Sequence, residues 1–410
     1  MSSLKYWVWL SSVGGIGPVT VLQLLKHFGT PEKVYQADAG DYGGIESARP
    51  INFSQLMLKN LDTANKILAS CQKSGFRVIT FQDAEYPDRL RNIYDPPLIL
   101  YVRGNLPMVD EEAVIAVVGT RDCTPYGITS ADNIGYQLAQ NGFIVATGLA
   151  RGIDTIVARA ALRGGGRVIG VIGSGLDVVY PPENAPLFAD VTSSGAVISE
   201  YPPGTPAHRS HFPARNRILS GLSLGVAVIE APKKSGALIT VSRALEQGRD
   251  VFTLPGNVDA RSSEGSNSLL REGAIPILSA EDIISEYADL FPEKTNPNRL
   301  QQVDISEIND SKQPANSRQV RNVNRRHDKK EIDNTSTVDY IDLNEILSTL
   351  SGDEKAVAET IGMASAYVDD IIVNSGLAAQ QVLTALTMLE INGYTVRDGS
   401  GKWKLSTLNS

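Results

Sequence analysis

The chain has 410 residues, 42% hydrophobic and 20% charged, an ordinary globular composition with room for two to four domains. Two cysteines, Cys71 and Cys123, with no CxxC or His-rich spacing, argue against a disulfide framework or zinc site and fit a reducing compartment. The net charge of -8 is uneven. Residues 339–410 hold ten acidic and four basic side chains, but 113–275 hold fourteen basic and thirteen acidic, so the middle stays open to an anionic ligand.

The opening "MSSLKYWVWLSSVGG" has too short an apolar stretch for a secretory signal, and no run approaches the ~20 residues of a bilayer span. A cytoplasmic protein with no membrane partner is expected. Residues 1–75 read as a small helical domain. In "VGGIGPVTVLQLLKHFG" (13–29) a glycine-rich turn precedes Pro18, and Val21, Leu24, Leu25 and Phe28 share one helix face. This is helix-hairpin-helix (SAM-like) spacing. Its turn amides serve either to hold a DNA phosphate or simply to make a tight turn.

From residue 76 to 291 short β-branched runs alternate with helical ones. Strands are predicted at 77–81, 114–119, 143–148, 168–173, 196–200, 226–230 and 250–254, with helices such as 126–142 and 238–248 between them. Near-continuously apolar strands in a β-α-β rhythm imply a mostly parallel sheet covered on both faces, a Rossmann-like doubly wound α/β domain. Ligands in such folds sit beyond the strand C-termini.

Four loops after these strands have the make-up of anion sites. "VVGTRDCTPYG" (117–127) offers Gly119, Thr120 and Arg121, and "TGLARGID" (147–154) offers Gly148, Arg151 and Gly152. "GSGLDVVYPPEN" (173–184) is the third. In the fourth, "APKKSGALIT" (231–240), Ser235 and Gly236 open a helix whose N-terminus suits phosphate. "HFPARNR" (211–217) sets Arg215 and Arg217 around Asn216 just before an apolar run, where an unpaired arginine costs several kcal/mol, so each needs an anion or a carboxylate such as Glu200 or Glu230. Phe212, beside Arg209 and these two arginines, is either core or a platform for an unstacked base.

Dinucleotide binding is disfavoured: the first βα turn is not GxGxxG, and no acidic residue ends "FIVATG". No P-loop lysine motif, histidine cluster or carboxylate pair stands out, so no cofactor, metal or catalytic set is expected.

Residues 292–338, polar and rich in Asn and Gln, read as a flexible linker. Its basic cluster from Arg318 to Lys330 is a solvated tether or a nucleic-acid contact. In 339–410 an early helix around Glu354–Ile361, helix–turn–helix spacing and a Gly-rich hairpin predict a winged helix. Its recognition helix, roughly Ala378–Leu389, carries Gln380, Gln381, Thr384 and Thr387 but no Lys or Arg, so a protein partner is expected rather than DNA.

Seven blocks between Tyr86 and Ala274 resemble, in order, the DNA-processing protein A family (DprA, also called Smf). They include "YPDRLRNIYDPPLILYVRGNL", "AVVGTRDCTPYG", "GLARGIDTIVARAAL", "VIGSGLDVVYPPEN", "SEYPPGTPAHRSHFPARNRILSGLS" and "IEAPKKSGALITVSRALEQGRDVFTLPGN", with "SEGSNSLLREGA" closing the series. The resemblance implies a non-enzymatic binder of single-stranded DNA that protects incoming DNA in natural transformation and helps load the RecA recombinase. Such proteins commonly act as homodimers through the Rossmann-like domain. By position, Gly119, Thr120, Arg121, Ser235 and Gly236 would meet phosphates. Arg209 and Phe212 would supply a basic residue and a stacking ring, and Arg215, Asn216 and Arg217 the family's RNR. One departure is Ala158, where members often carry histidine after "GID". The alternative, a phosphoribohydrolase-like enzyme on the same fold, needs a PGGxGTxxE pattern; the nearest stretch, "LPGNVDARSSEG" (254–265), lacks the glycine pair and the positioned glutamate.

Overall fold

The computed structural model describes residues 3–45, 53–292, 350, 352–361, 366–391, 394–397 and 402–405. The linker and its basic cluster lie outside these residues. The chain divides into two units, 1–314 and 315–410.

The first unit opens with α1 (Leu4–Ser12), α2 (Pro18–Phe28), α3 (Pro31–Gln36) and α4 (Asp62–Ser74). Pro18 occupies the first turn of α2 after Gly17, and Gly29, at φ 84°, ends it, as the spacing predicts. Val21, Leu24 and Leu25 pack inward with Trp7, Leu10 and Tyr42, in an apolar cluster that continues onto one face of the sheet. Among the described residues, apart from chain neighbours, nothing packs within 4 Å of a side-chain position at Gly14, Gly15 or Gly17, so the glycine-rich turn is open on its outer side.

Nine strands and the intervening helices follow: β1 (Arg77–Thr80), α5 (Asp88–Arg91), β2 (Ile99–Gly104), β3 (Val114–Val118), α6 (Pro125–Gln140), β4 (Ile144–Thr147), α7 (Ile153–Arg163), β5 (Val168–Ile172), α8 (Ala185–Ser194), β6 (Ala196–Ser199), α9 (His211–Leu222), β7 (Gly225–Val228), α10 (Gly236–Glu246), β8 (Asp250–Thr253), α11 (Glu264–Arg271), β9 (Ile275–Pro276) and α12 (Glu281–Tyr287). The sheet order is β1-β2-β6-β5-β4-β3-β7-β8-β9. All pairs from β6 to β9 are parallel, whereas β2 runs antiparallel to both β1 and β6.

Burial on both faces explains the continuous apolar runs. In β3, Val114, Ala116 and Val118 join the cluster under α9 and α10, and Ile115 and Val117 join the one under α6 and α7. The topology turns at β3. Strands β4, β5 and β6 extend to one side, and β7 and β8 to the other, so β3 and β7 flank the switch point where a doubly wound sheet leaves a crevice.

The second unit contains helices Gly352–Ile361, Val368–Ser375 and Ala379–Ile391 and an antiparallel pair, Thr395–Arg397 with Trp403–Leu405. Val357, Ile371, Leu386, Leu389 and Trp403 form its own core. This is the winged helix expected. Among the described residues no helix is long and apolar enough to cross a membrane.

Candidate nucleic-acid interface

A cleft of about 420 Å³ opens at the switch point. One wall is the segment 118–122 after β3 and the other is 232–240 after β7; α9 supplies the floor with Phe212, Arg215, Asn216 and Leu219, and Ala150 and Asp154 close the far side.

Local hydrogen bonds explain why each wall folds as it does. The Thr120 amide donates to the Glu230 carbonyl oxygen at 2.7 Å, prolonging the β3–β7 ladder, and Thr120 Oγ1 accepts from the Asp122 amide at 3.2 Å to tighten the turn. Gly119 leaves no room for a side chain against Ile153 and the Glu230 carbonyl. Arg121 is exposed, its guanidinium 5.7 Å from the Phe212 ring centre. Opposite, Ser235 Oγ accepts from the Ala237 amide at 3.2 Å as the cap of α10, and among the described residues nothing beyond its own turn packs against a side-chain position at Gly236. The positive end of an eleven-residue helix thus faces the cleft, with exposed Lys234 beside it.

"HFPARNR" is the first half of α9, and the apolar run after it divides into the rest of that helix and β7. This places its two arginines in different surroundings. Arg215, buried, reaches the cleft floor and donates from Nη1 to the Val171 carbonyl; among the described residues its Nε is buried without a hydrogen-bond partner. Burial pulls its pKa down to about 10; Asp154 opposes that pull and Arg121 adds to it. Arg217 is buried in an ion triad instead, with Nη2 2.6 Å from Glu200 and Nε 3.2 Å from Asp95. Burial works against its charge, but Glu200 and Asp95 outweigh that and hold its pKa above the ordinary arginine value.

The cleft therefore gathers Gly119, Thr120, Arg121, Phe212, Arg215, Asn216, Ser235 and Gly236, and leaves Gly148, Arg151, Arg209 and Arg217 outside its lining. Gly148 is a packing requirement, since a side chain there would collide with the Arg215 guanidinium. Arg151 is exposed and paired with Glu183, and Arg209 is exposed near the start of α9. The third glycine-rich loop spends its groups internally: the Gly175 amide donates to the Thr205 carbonyl, and Asp177 accepts from the Gly204 amide.

Sequence reading missed three residues here. Lys234 adjoins the Ser-Gly pair already singled out. Tyr180 meets Phe212 with ring centres 5.6 Å apart, a contact between distant segments that no local pattern signals. Asp154, in "ARGID", faces the cleft, and an acid in a first helical turn is the signal that could have marked it.

A doubly wound sheet with an amide- and arginine-lined cleft at its switch point defines a Rossmann-like protein with an anion-binding crevice, and a winged helix follows it in the chain. The family model for DNA recombination-mediator protein A matches residues 77–288, and the DprA winged helix domain matches 344–401. Protein Smf of Synechocystis is 38% identical over 69% of this chain and 72% of its own length. The DNA processing protein DprA of Streptococcus pneumoniae is 37% identical over 70% of this chain and 99% of its own. The X-ray structure of DprA from that organism superposes with a TM-score of 0.59 at 36% identity, covering 69% of this chain and 97% of that one. The chain belongs to the DprA/Smf family of DNA-processing proteins.

Proposed function

We propose that the cleft holds the backbone of single-stranded DNA and that the protein is a non-enzymatic recombination mediator, protecting an incoming strand and helping to load a RecA recombinase in the cytoplasm. The observation that carries this reading is the convergence of Arg121, Lys234 and the α10 N-terminus on one cleft that half-buried Phe212 also lines. Charges and amides track a flexible backbone while unpaired bases stack on rings, a combination suited to single strands and indifferent to sequence. In this reading residues 76–291 bind DNA and form the homodimer, 1–75 are a helical accessory domain, and 292–338 tether a winged helix, 339–410, that recruits protein.

Fluorescence anisotropy of a labelled oligonucleotide across a salt series tests the DNA site. Affinity should fall with salt by roughly 0.7 log units per log unit of salt for each phosphate neutralised, and duplex should bind more weakly. Arg121→Ala should weaken binding and shallow that slope by about one contact while leaving thermal unfolding unchanged. Equal binding by wild type and variant would show that the site lies elsewhere.

A further inference from the structure

The second glycine-rich loop has the make-up of a phosphate seat, yet the chain's own carboxylate already fills it. Asp154 Oδ2 accepts from the Gly148 amide at 3.1 Å and from the Ala150 amide at 3.4 Å. Asp154 is 6% exposed and lines the cleft, and Arg215 is the cationic group whose field opposes its burial. An arriving phosphate would meet, on the Ala150 side, two amides already satisfied and an arginine whose charge Asp154 already partly offsets. On the other two walls it meets exposed Arg121 and Lys234 and the open helix end at Gly236.

We propose that Asp154 is a positioning residue of the cleft: it confines nucleic-acid phosphate to the Arg121 and Ser235–Gly236 walls and moderates the grip of Arg215, so that a bound strand can be handed on. This rests on the DNA-binding reading above and specifies how the same site places its ligand. The charged and titratable groups around Asp154 are Arg215 on α9, Arg121, Asp122 and Cys123 in the turn after β3, Glu230 beyond β7, and Lys234 before α10. Burial raises the Asp154 pKa, with Arg215 and the two amides pulling it back. A bound phosphate adds a negative neighbour and favours the protonated acid, so binding should draw a proton onto this carboxyl, and affinity should fall as pH rises through its titration.

The test measures oligonucleotide affinity from pH 5.5 to 8.5 for wild type, Asp154→Asn and Asp154→Ser, with thermal melts confirming the fold of each. Removing one negative charge close to the bound phosphate should tighten binding at the alkaline end by about five-fold. It should also flatten the pH profile relative to wild type. Folded variants with wild-type affinity and pH profile would overturn the proposal. So would a co-crystal of the wild-type chain with an oligonucleotide in which phosphate accepts from the Gly148 or Ala150 amide, a result that does not depend on either variant folding. Failure of the wild-type chain to bind any oligonucleotide would instead remove the DNA-binding reading on which the proposal stands.

Discussion

Two arginines two positions apart in sequence, with Asn216 between them, do different jobs because a helix turns about 200° over two residues. Arg215 faces the cleft, whereas Arg217 is held by Glu200 and Asp95, which are themselves partly exposed. Arg217→Met should therefore cost roughly 2–4 kcal/mol of stability, toward the lower end because both carboxylates can rehydrate, and leave oligonucleotide affinity within about two-fold. Urea unfolding paired with anisotropy checks this; lost affinity at unchanged stability would move Arg217 into the DNA site. The thiol in the β3 turn yields a second expectation. Burial, then Glu230 and Asp154, push the Cys123 pKa up to about 11, and burial with Asp177 does the same for Cys71. Thiolate is the reactive form. Alkylation by iodoacetamide should thus be slow at pH 8 and accelerate toward pH 11, and mass spectrometry showing rapid modification of Cys123 at pH 8 would contradict that environment.

At the scale of elements, the cleft depends on glycines that let one turn lie on another. Gly152 sits at φ 76°, and a side chain there would press on the Thr120 and Arg121 backbone. Gly152→Ala should therefore cost on the order of 1–3 kcal/mol in backbone strain and push the 119–122 wall outward, weakening DNA binding although residue 152 is outside the cleft lining. Retained stability and affinity would show that the wall does not rest on this crossing. The predicted strands agree with β1 and β3 to β8 because β3 to β7 are apolar runs buried throughout, and β1 and β8 carry shorter buried β-branched or aromatic runs, a signal local in sequence. β2 and β9 were not marked as strands. β2 begins one residue past Pro96 and Pro97 and ends in the exposed Arg103 and Gly104, and β9 is only two residues long and contains Pro276. The antiparallel placing of β2 between β1 and β6 comes from long-range pairing, which periodicity does not encode. The cleft walls were legible for a related reason: glycine, Ser and Arg directly after a strand are local chemistry. The inward turn of Arg217 and the capture of the second loop by Asp154 were not, because each is decided by partners brought in from elsewhere in the fold.

At the scale of the whole molecule, the two units have separate cores, and the segment that carries the cleft, 113–275, is close to neutral where the winged-helix segment is acidic. The sheet unit carries every residue of the proposed DNA cleft. The winged-helix segment, 339–410, is net -6, and its helix Ala379–Ile391 bears no lysine or arginine. A surface of that kind repels phosphate through several Debye-length-scale contacts rather than one, so it should add little to oligonucleotide affinity at physiological salt. Its exposed Met388 lines a groove together with Asp353 and Glu354, a composition suited to a protein contact. A chain ending at residue 292 keeps the sheet core intact and should bind oligonucleotide within about two-fold of the full-length protein, with the same salt slope, because the slope counts phosphate contacts and none is removed. What the truncation should lose is any recruitment step assigned to the winged helix, measured as RecA filament assembly on protected single strands at equal DNA occupancy. A truncated chain with a markedly shallower salt slope would place basic contacts in the removed segment, the cluster from Arg318 to Lys330 being the one that could supply them. The division of labour between the units would then have to be redrawn.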